Sequence, residues 1–324
     1  MTDVVERRGR SSGRNARRPS RRSRPPAGRA QRRDVPWRQR WREPAAGLLF
    51  VLPMLVLFVV FRFVPAFGAI GMSLTDYKIS GEWEFVGADN YTRLMDDPVF
   101  HASLRATLVY AAVYVPLTVV LSLVTALLLN AMVRNIGLFR GALFLPYVTS
   151  FVLAGVIWLW VYQLDGLLNG LLAKVDVGPV DFLGDTALVL PSLAVVSVWK
   201  GFGYSMLIFV AGLKAIPTEY LEAARMDGAG PWQRFRSIVL PLLRPALFFV
   251  LVVETIGAFQ VFDTIYVMTG GGPTRASYTL VYGLFDQGFR FFDFGYAATM
   301  GVVLFLIVLV VSLVQRFVLD REQT

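Results

Sequence analysis

Four ionisable side chains stand inside or at the edge of long apolar runs: Arg62, Lys200, Glu254 and Asp263. In hydrocarbon such groups are costly and mark solute paths, ion sites or buried pairs. Glu254 and Asp263 share one run with the amide of Gln260 and the rings of Phe259 and Phe262. Carboxylates and amides beside flat rings suit a sugar, whose hydroxyls need hydrogen bonds and whose apolar faces need a flat surface. On a continuous helix Gln260 and Asp263, three apart, share a face, with Glu254 about half a turn from Asp263. The same groups also suit hydrogen bonding to a neighbouring membrane helix, so both readings stand. Tyr204 and Tyr147 are further candidates for the same path. Arg62 can snorkel to the headgroups and is read as structural.

Catalysis finds few reagents. The chain has no cysteine and one histidine, His101, so no catalytic residue and no metal ligand is expected. No Gly-x4-Gly-Lys-Ser/Thr phosphate loop occurs, and the chain is not expected to bind ATP in that manner.

The elements that must position these groups are membrane helices. Of the 324 residues 55% are hydrophobic and 17% charged, against roughly a quarter charged in a soluble domain. Stretches of about 20 apolar residues, the length that crosses a bilayer as a helix, occur near 46–72, 106–130, 138–162, 187–213, 246–268 and 294–317. The expected fold is therefore all-α and polytopic, with six transmembrane helices. Outside residues 1–45, nine Lys and Arg fall on the side of the amino terminus and five on the other, so both termini are expected in the cytoplasm. Residues 1–45 hold fifteen arginines and four acids. They read as a disordered cytoplasmic tail that helps fix orientation, with anionic lipid or nucleic acid as the alternative ligand of its arginines. Residues 46–318 form the six-helix domain and 319–324 a cytoplasmic end. Glu254 and Asp263 leave an ion-coupled secondary carrier as the rival class.

The cytoplasmic loop 214–245 runs Lys214-Ala215-Ile216-Pro217-Thr218-Glu219-Tyr220-Leu221-Glu222-Ala223-Ala224-Arg225-Met226-Asp227-Gly228-Ala229-Gly230-Pro231. Thr218 is expected to cap a short helix, Glu219 to lie in its first turn and Gly228 to end it. Pro231 then restarts a helix. Small Ala223 and Ala224, acidic Glu222 and apolar Tyr220, Leu221 and Met226 suit either a protein dock or a helix resting on the bilayer.

The order Glu222-Ala223-Ala224, three residues, Gly228, nine residues, Ile238, one residue, Leu240-Pro241 resembles the EAA loop of permease subunits in binding-protein-dependent ABC importers. Ile216-Pro217, Asp227-Gly228-Ala229, Leu145-Pro146-Tyr147, Phe262-Asp263, Thr269-Gly270-Gly271-Gly272-Pro273 and Phe294-Gly295-Tyr296-Ala297 resemble its carbohydrate branch, the maltose-permease and glycerol-phosphate-permease A-type subunits. The resemblance covers 46–318. It implies a permease for a sugar or sugar-like solute in the plasma (inner) membrane of a prokaryote, working by alternating access. Implied partners are a second homologous permease, two cytoplasmic ATPases that bind the ATP and Mg, an extracytoplasmic solute-binding protein and the lipid bilayer. This chain binds no cofactor itself, and no nucleic-acid partner is expected. Glu222, Ala223, Ala224, Asp227 and Gly228 become the coupling contacts with the ATPase.

Overall fold

The computed structural model describes residues 37–81, 83–131 and 136–320. The arginine-rich stretch to residue 36, Glu82, Arg134 and the end from 321 lie outside the described residues. Two units result, one ending at Val59 and one beginning at Val60. In the first, α1 (Trp37–Phe58) begins nine residues before the expected start at 46, because Arg and Gln favour helix nearly as well as leucine does, a preference that hydropathy does not register. From Leu48 to Phe58 its large apolar side chains are exposed.

The second unit opens with a π-helical turn and α2 (Val64–Met72). It continues through α3 (Asp89–Asp96), α4 (Pro98–Ala131), α5 (Ile136–Val148), α6 (Phe151–Tyr162), α7 (Leu167–Ala173) and α8 (Val189–Lys214). After these come α9 (Thr218–Met226), α10 (Pro231–Arg234), α11 (Leu240–Leu242), α12 (Arg244–Phe259), α13 (Asp263–Met268), α14 (Leu280–Phe285) and α15 (Phe294–Asp320). Among the described residues there is no strand beyond isolated bridges. Five helical stretches are long and apolar enough to cross a membrane: Gly47–Met72, Pro98–Ala131, Phe151–Ala173, Val189–Lys214 and Phe294–Val318. Pro231–Leu242 and Arg244–Phe259, bent by 68°, bring the number to six when the pair is counted as one span.

Helix α8 is the centre. Of its most apolar stretch 67% is buried, against 33% for α4, the next most covered. Tyr110 and Tyr114 of α4, Val189 and Leu193 of α8 and Ile265 of α13 share one apolar cluster. Val119 and Ala126, Met206 and Phe209, and Val250 of α12 form a second. Association inside a bilayer relies on close packing and interhelical hydrogen bonds rather than on water exclusion. Accordingly Ser122 of α4 donates to the Phe202 carbonyl at 2.8 Å and Gln315 of α15 to the Thr255 hydroxyl at 2.7 Å. In a third apolar cluster Tyr296 is fully buried at the start of α15, and its hydroxyl donates to Asp97 at 2.6 Å, pinning α15 to the foot of α4.

Two expected spans are broken. The third divides between Val148 and Phe151, after Pro146, and the fifth divides between Phe259 and Asp263, where Gln260 and Phe262 leave helical backbone angles. Gln260 and Asp263 therefore do not share a helix face. The three-residue spacing carries no meaning across a break, since Asp263 opens a new helix, where a carboxylate suits the first turn.

Close approach of α5 to α8 demands glycine at 203: a Cβ there would lie 2.3 Å from the Leu143 carbonyl oxygen. Gly203→Ala is expected to push these helices apart and destabilise the fold by about 1–3 kcal/mol. A thermal melt of the detergent-solubilised protein reads this as a lowered Tm, and an unchanged Tm would contradict the packing.

Candidate functional site

Both breaks open onto one cavity of about 580 Å³, whose walls include Tyr110 and Tyr114 of α4, Tyr147 and Thr149 at the first break, Lys200 and Tyr204 of α8, Glu254 of α12, and Gln260, Phe262 and Asp263 at the second. Its size falls within the ~300–1,000 Å³ of small-molecule sites. All five sequence-predicted path residues, Tyr147, Tyr204, Glu254, Gln260 and Asp263, thus meet here. They arrive from separate segments, not along one helical face.

Broken helices within a membrane leave carbonyls without partners, tolerated where protein or a cavity takes them up. At the first break that partner is Lys200. Its ammonium donates to the carbonyls of Thr149 at 2.6 Å, Tyr147 at 3.0 Å and Pro146 at 3.4 Å. A cation at the carboxyl end of α5 also faces the negative pole of the helix dipole. The Phe151 ring sits 4.2 Å from the ammonium, and the side chain is buried.

Glu254 is the second buried charge, 6% exposed. Tyr114 donates to one of its oxygens at 2.6 Å, and Ser205 donates to the other. One carboxylate therefore links α4, α8 and α12. At the second break Thr279 donates to the Val261 carbonyl at 3.3 Å and Ser197 pairs with Thr264 at 3.3 Å. Tyr147 and Tyr204 stack with centroids 5.0 Å apart and planes at 14°. Gln260 and Asp263 are exposed on the cavity side. The arrangement can hold a polar, partly flat solute by hydrogen bonds and ring faces.

Lys200 stood out in the sequence as a charge in an apolar run, but its role depends on a break inside the run 138–162, which was expected to be one continuous helix. Tyr110 and Tyr114 gave no signal, since aromatic residues are ordinary in membrane helices. A larger cleft of about 720 Å³, with Arg105 and Arg275 on its walls, contains none of the predicted path residues.

The loop residues lie elsewhere. Helix α9 carries Glu222, Ala223 and Ala224, with Glu222 and Ala223 exposed. Its N-cap is Pro217, not Thr218, which is the first helical residue; the extended proline turns the chain in, so no hydroxyl cap forms. Asp227 is the C-cap, and Gly228 follows at φ +80°, with its N–H on the Arg225 carbonyl at 3.1 Å and that of Ala229 on Ala224 at 2.9 Å. Such a left-handed residue is the usual end of a helix and favours glycine. Gly230 and Pro231 restart the chain as α10, as expected.

Residues 107–323 match the family model described as binding-protein-dependent transport system inner membrane component. The trehalose/maltose transport system permease protein MalF of Thermococcus litoralis is 35% identical over 277 residues, covering 85% of this chain and 94% of that one. The lactose transport system permease protein LacF of Rhizobium radiobacter is 35% identical over 86% of this chain and 94% of its own length. The sn-glycerol-3-phosphate transport system permease protein UgpA of Yersinia pestis is 35% identical over 85% and 94%. In fold the chain is similar to a chain of a bacterial ABC transporter involved in import of the acidic polysaccharide alginate, with TM-score 0.73 at 21% identity, covering 88% of this chain and 100% of that one. A matching family model over two-thirds of the sequence, relatives aligned along nearly their whole length and the helical fold agree: the chain belongs to the inner membrane permease components of binding-protein-dependent ABC transport systems.

Proposed function

We propose that this chain is one permease subunit of an ATP-driven importer for a sugar or sugar-like solute, alternating access to the cavity at the two breaks. The observation that carries the reading is α9: the helix bearing Glu222-Ala223-Ala224 lies outside the spans with Tyr220 55% and Met226 88% exposed. An exposed apolar pair beside two small residues and an acid has the composition of a docking anchor. Glu222, Ala223, Ala224, Asp227 and Gly228 meet the ATPase in this reading. The chain has no phosphate loop of its own, so ATP and Mg belong to that partner.

Around it we place a second homologous permease, two ATPases and an extracytoplasmic solute-binding protein. Both termini and the tail 1–45 face the cytoplasm, following the Lys and Arg asymmetry. The names of MalF and LacF relatives support a sugar as the solute, and so do the stacked tyrosines and hydrogen-bonding groups of the cavity. An ion-coupled carrier would leave α9 without a duty.

Affinity purification in mild detergent tests the docking. The wild type is expected to bring down an ATPase and a second permease, while Glu222→Lys keeps the permease and loses the ATPase. ATPase retention by the variant would remove Glu222 from the contact. Gln260→Ala is expected to weaken solute affinity roughly tenfold, the scale of one lost neutral hydrogen bond, with ATPase recovery unchanged. Equal affinity would move the solute contacts away from this position.

A further inference from the structure

Three charged side chains line the cavity, Lys200, Glu254 and Asp263, and they are not equally available to a solute. An ammonium has three N–H donors. Those of Lys200 have three backbone carbonyls within reach, at Pro146, Tyr147 and Thr149, and the group is covered on another side by the Phe151 ring at 4.2 Å. Its short bonds go to Thr149 and Tyr147, and at 4% exposure it presents little surface to a phosphate or a carboxylate. The cation is absorbed by the break that it closes.

The two carboxylates are in the opposite condition. Each oxygen of Glu254 accepts one hydrogen bond, from Tyr114 and from Ser205. An ionised carboxylate has about four acceptor positions, so roughly half remain for donors entering from the cavity. Asp263 is exposed on the wall, with no side-chain hydrogen bond among the described residues. Two carboxylates with open acceptors, against one ammonium largely committed to backbone, define the polarity of the site. A hydroxyl-rich neutral molecule satisfies them by donating, with an apolar face on the Tyr147–Tyr204 stack or on Phe262. An anionic molecule brings a like charge beside Glu254, which is buried, where repulsion is screened least.

We propose that this cavity selects uncharged sugars and rejects anionic ones, with Glu254 as the residue that sets the distinction and Asp263 as its second charge. The proposal rests on the reading that the cavity takes the solute. Glu254→Gln keeps the length and one acceptor of the side chain and removes its charge, so it separates electrostatic rejection from loss of shape.

The test is titration calorimetry on the solubilised permease and ATPase complex without a binding protein, so that the cavity alone makes the choice. Maltose, lactose and trehalose are compared with maltobionate, lactobionate and trehalose 6-phosphate. The wild type is expected to bind a neutral member at least about tenfold more tightly than its anionic counterpart, the effect of one unfavourable charge pair beside a buried carboxylate. Glu254→Gln is expected to close that gap by about tenfold. Asp263→Asn, at an exposed position, is expected to narrow it in the same direction and decides the matter if Glu254→Gln fails to assemble. Equal binding of neutral and anionic members by the wild type overturns the proposal, as does a gap left intact by the variants; either leaves the sugar cavity standing. A wild type that binds neither kind overturns the cavity reading itself.

Discussion

Hydrocarbon offers a peptide group nothing to bond with, and the site depends on how the chain meets that condition at its two interrupted spans. A buried carbonyl without a partner costs about 1–3 kcal/mol, and a break exposes several at once. At the first break Lys200 reaches across from α8 to the Tyr147 and Thr149 carbonyls, while Thr149 bonds that of Pro146. At the second, Thr279 bonds the Val261 carbonyl while the Ser197–Thr264 pair braces α13 against α8. The irregular backbone that results lines the cavity with Tyr147, Thr149, Gln260 and Asp263. Interruption and satisfaction together make a polar cavity within otherwise apolar spans.

Glu254 obeys the same rule from the side of charge. Buried carboxylates persist when both oxygens have donors, and here the donors come from two other helices, Tyr114 on α4 and Ser205 on α8. The bond that makes the charge tolerable also joins three helices around the cavity. Gln315 and Thr255 extend the tie from α12 to α15. A network of this kind fixes geometry more than it adds stability, because each polar member carries its own desolvation cost.

Much of the architecture was legible in the residues. Apolar run length located α8, expected at 187–213 and found at Val189–Lys214, and α15 to within a few residues. It missed the polar first turns of α1 and of α4, which starts at Pro98 and not 106. The loop 214–245 was legible because Pro217, Gly228, Gly230 and Pro231 act locally. The breaks were not, since hydropathy is blind to backbone direction: Phe259-Gln260-Val261-Phe262 is as apolar as a span should be. The convergence of Tyr147, Tyr204 and Gln260 was foreseen as a list of polar and aromatic positions, and its geometry required the tertiary structure. The partners of Lys200 lie about fifty residues away in sequence, and nothing local predicts them.

Distance connects the two halves of the proposed mechanism. From Lys200 at the cavity to Lys214 at its end, α8 runs 14 residues without interruption, about 21 Å of helix. The chain then passes through buried Ile216 into α9. On the far side of α9, α10 and α11 lead through the 68° bend into α12, which carries Glu254 and is capped by Gln260. The proposed docking helix is therefore inserted between the two elements that bear Lys200, Tyr204, Glu254 and Gln260. Packed helices shift as bodies rather than deforming smoothly. A displacement of α9 by a partner would be delivered to both walls of the cavity, and the Tyr114–Glu254–Ser205 bonds are where the relative movement of α8 and α12 would be felt.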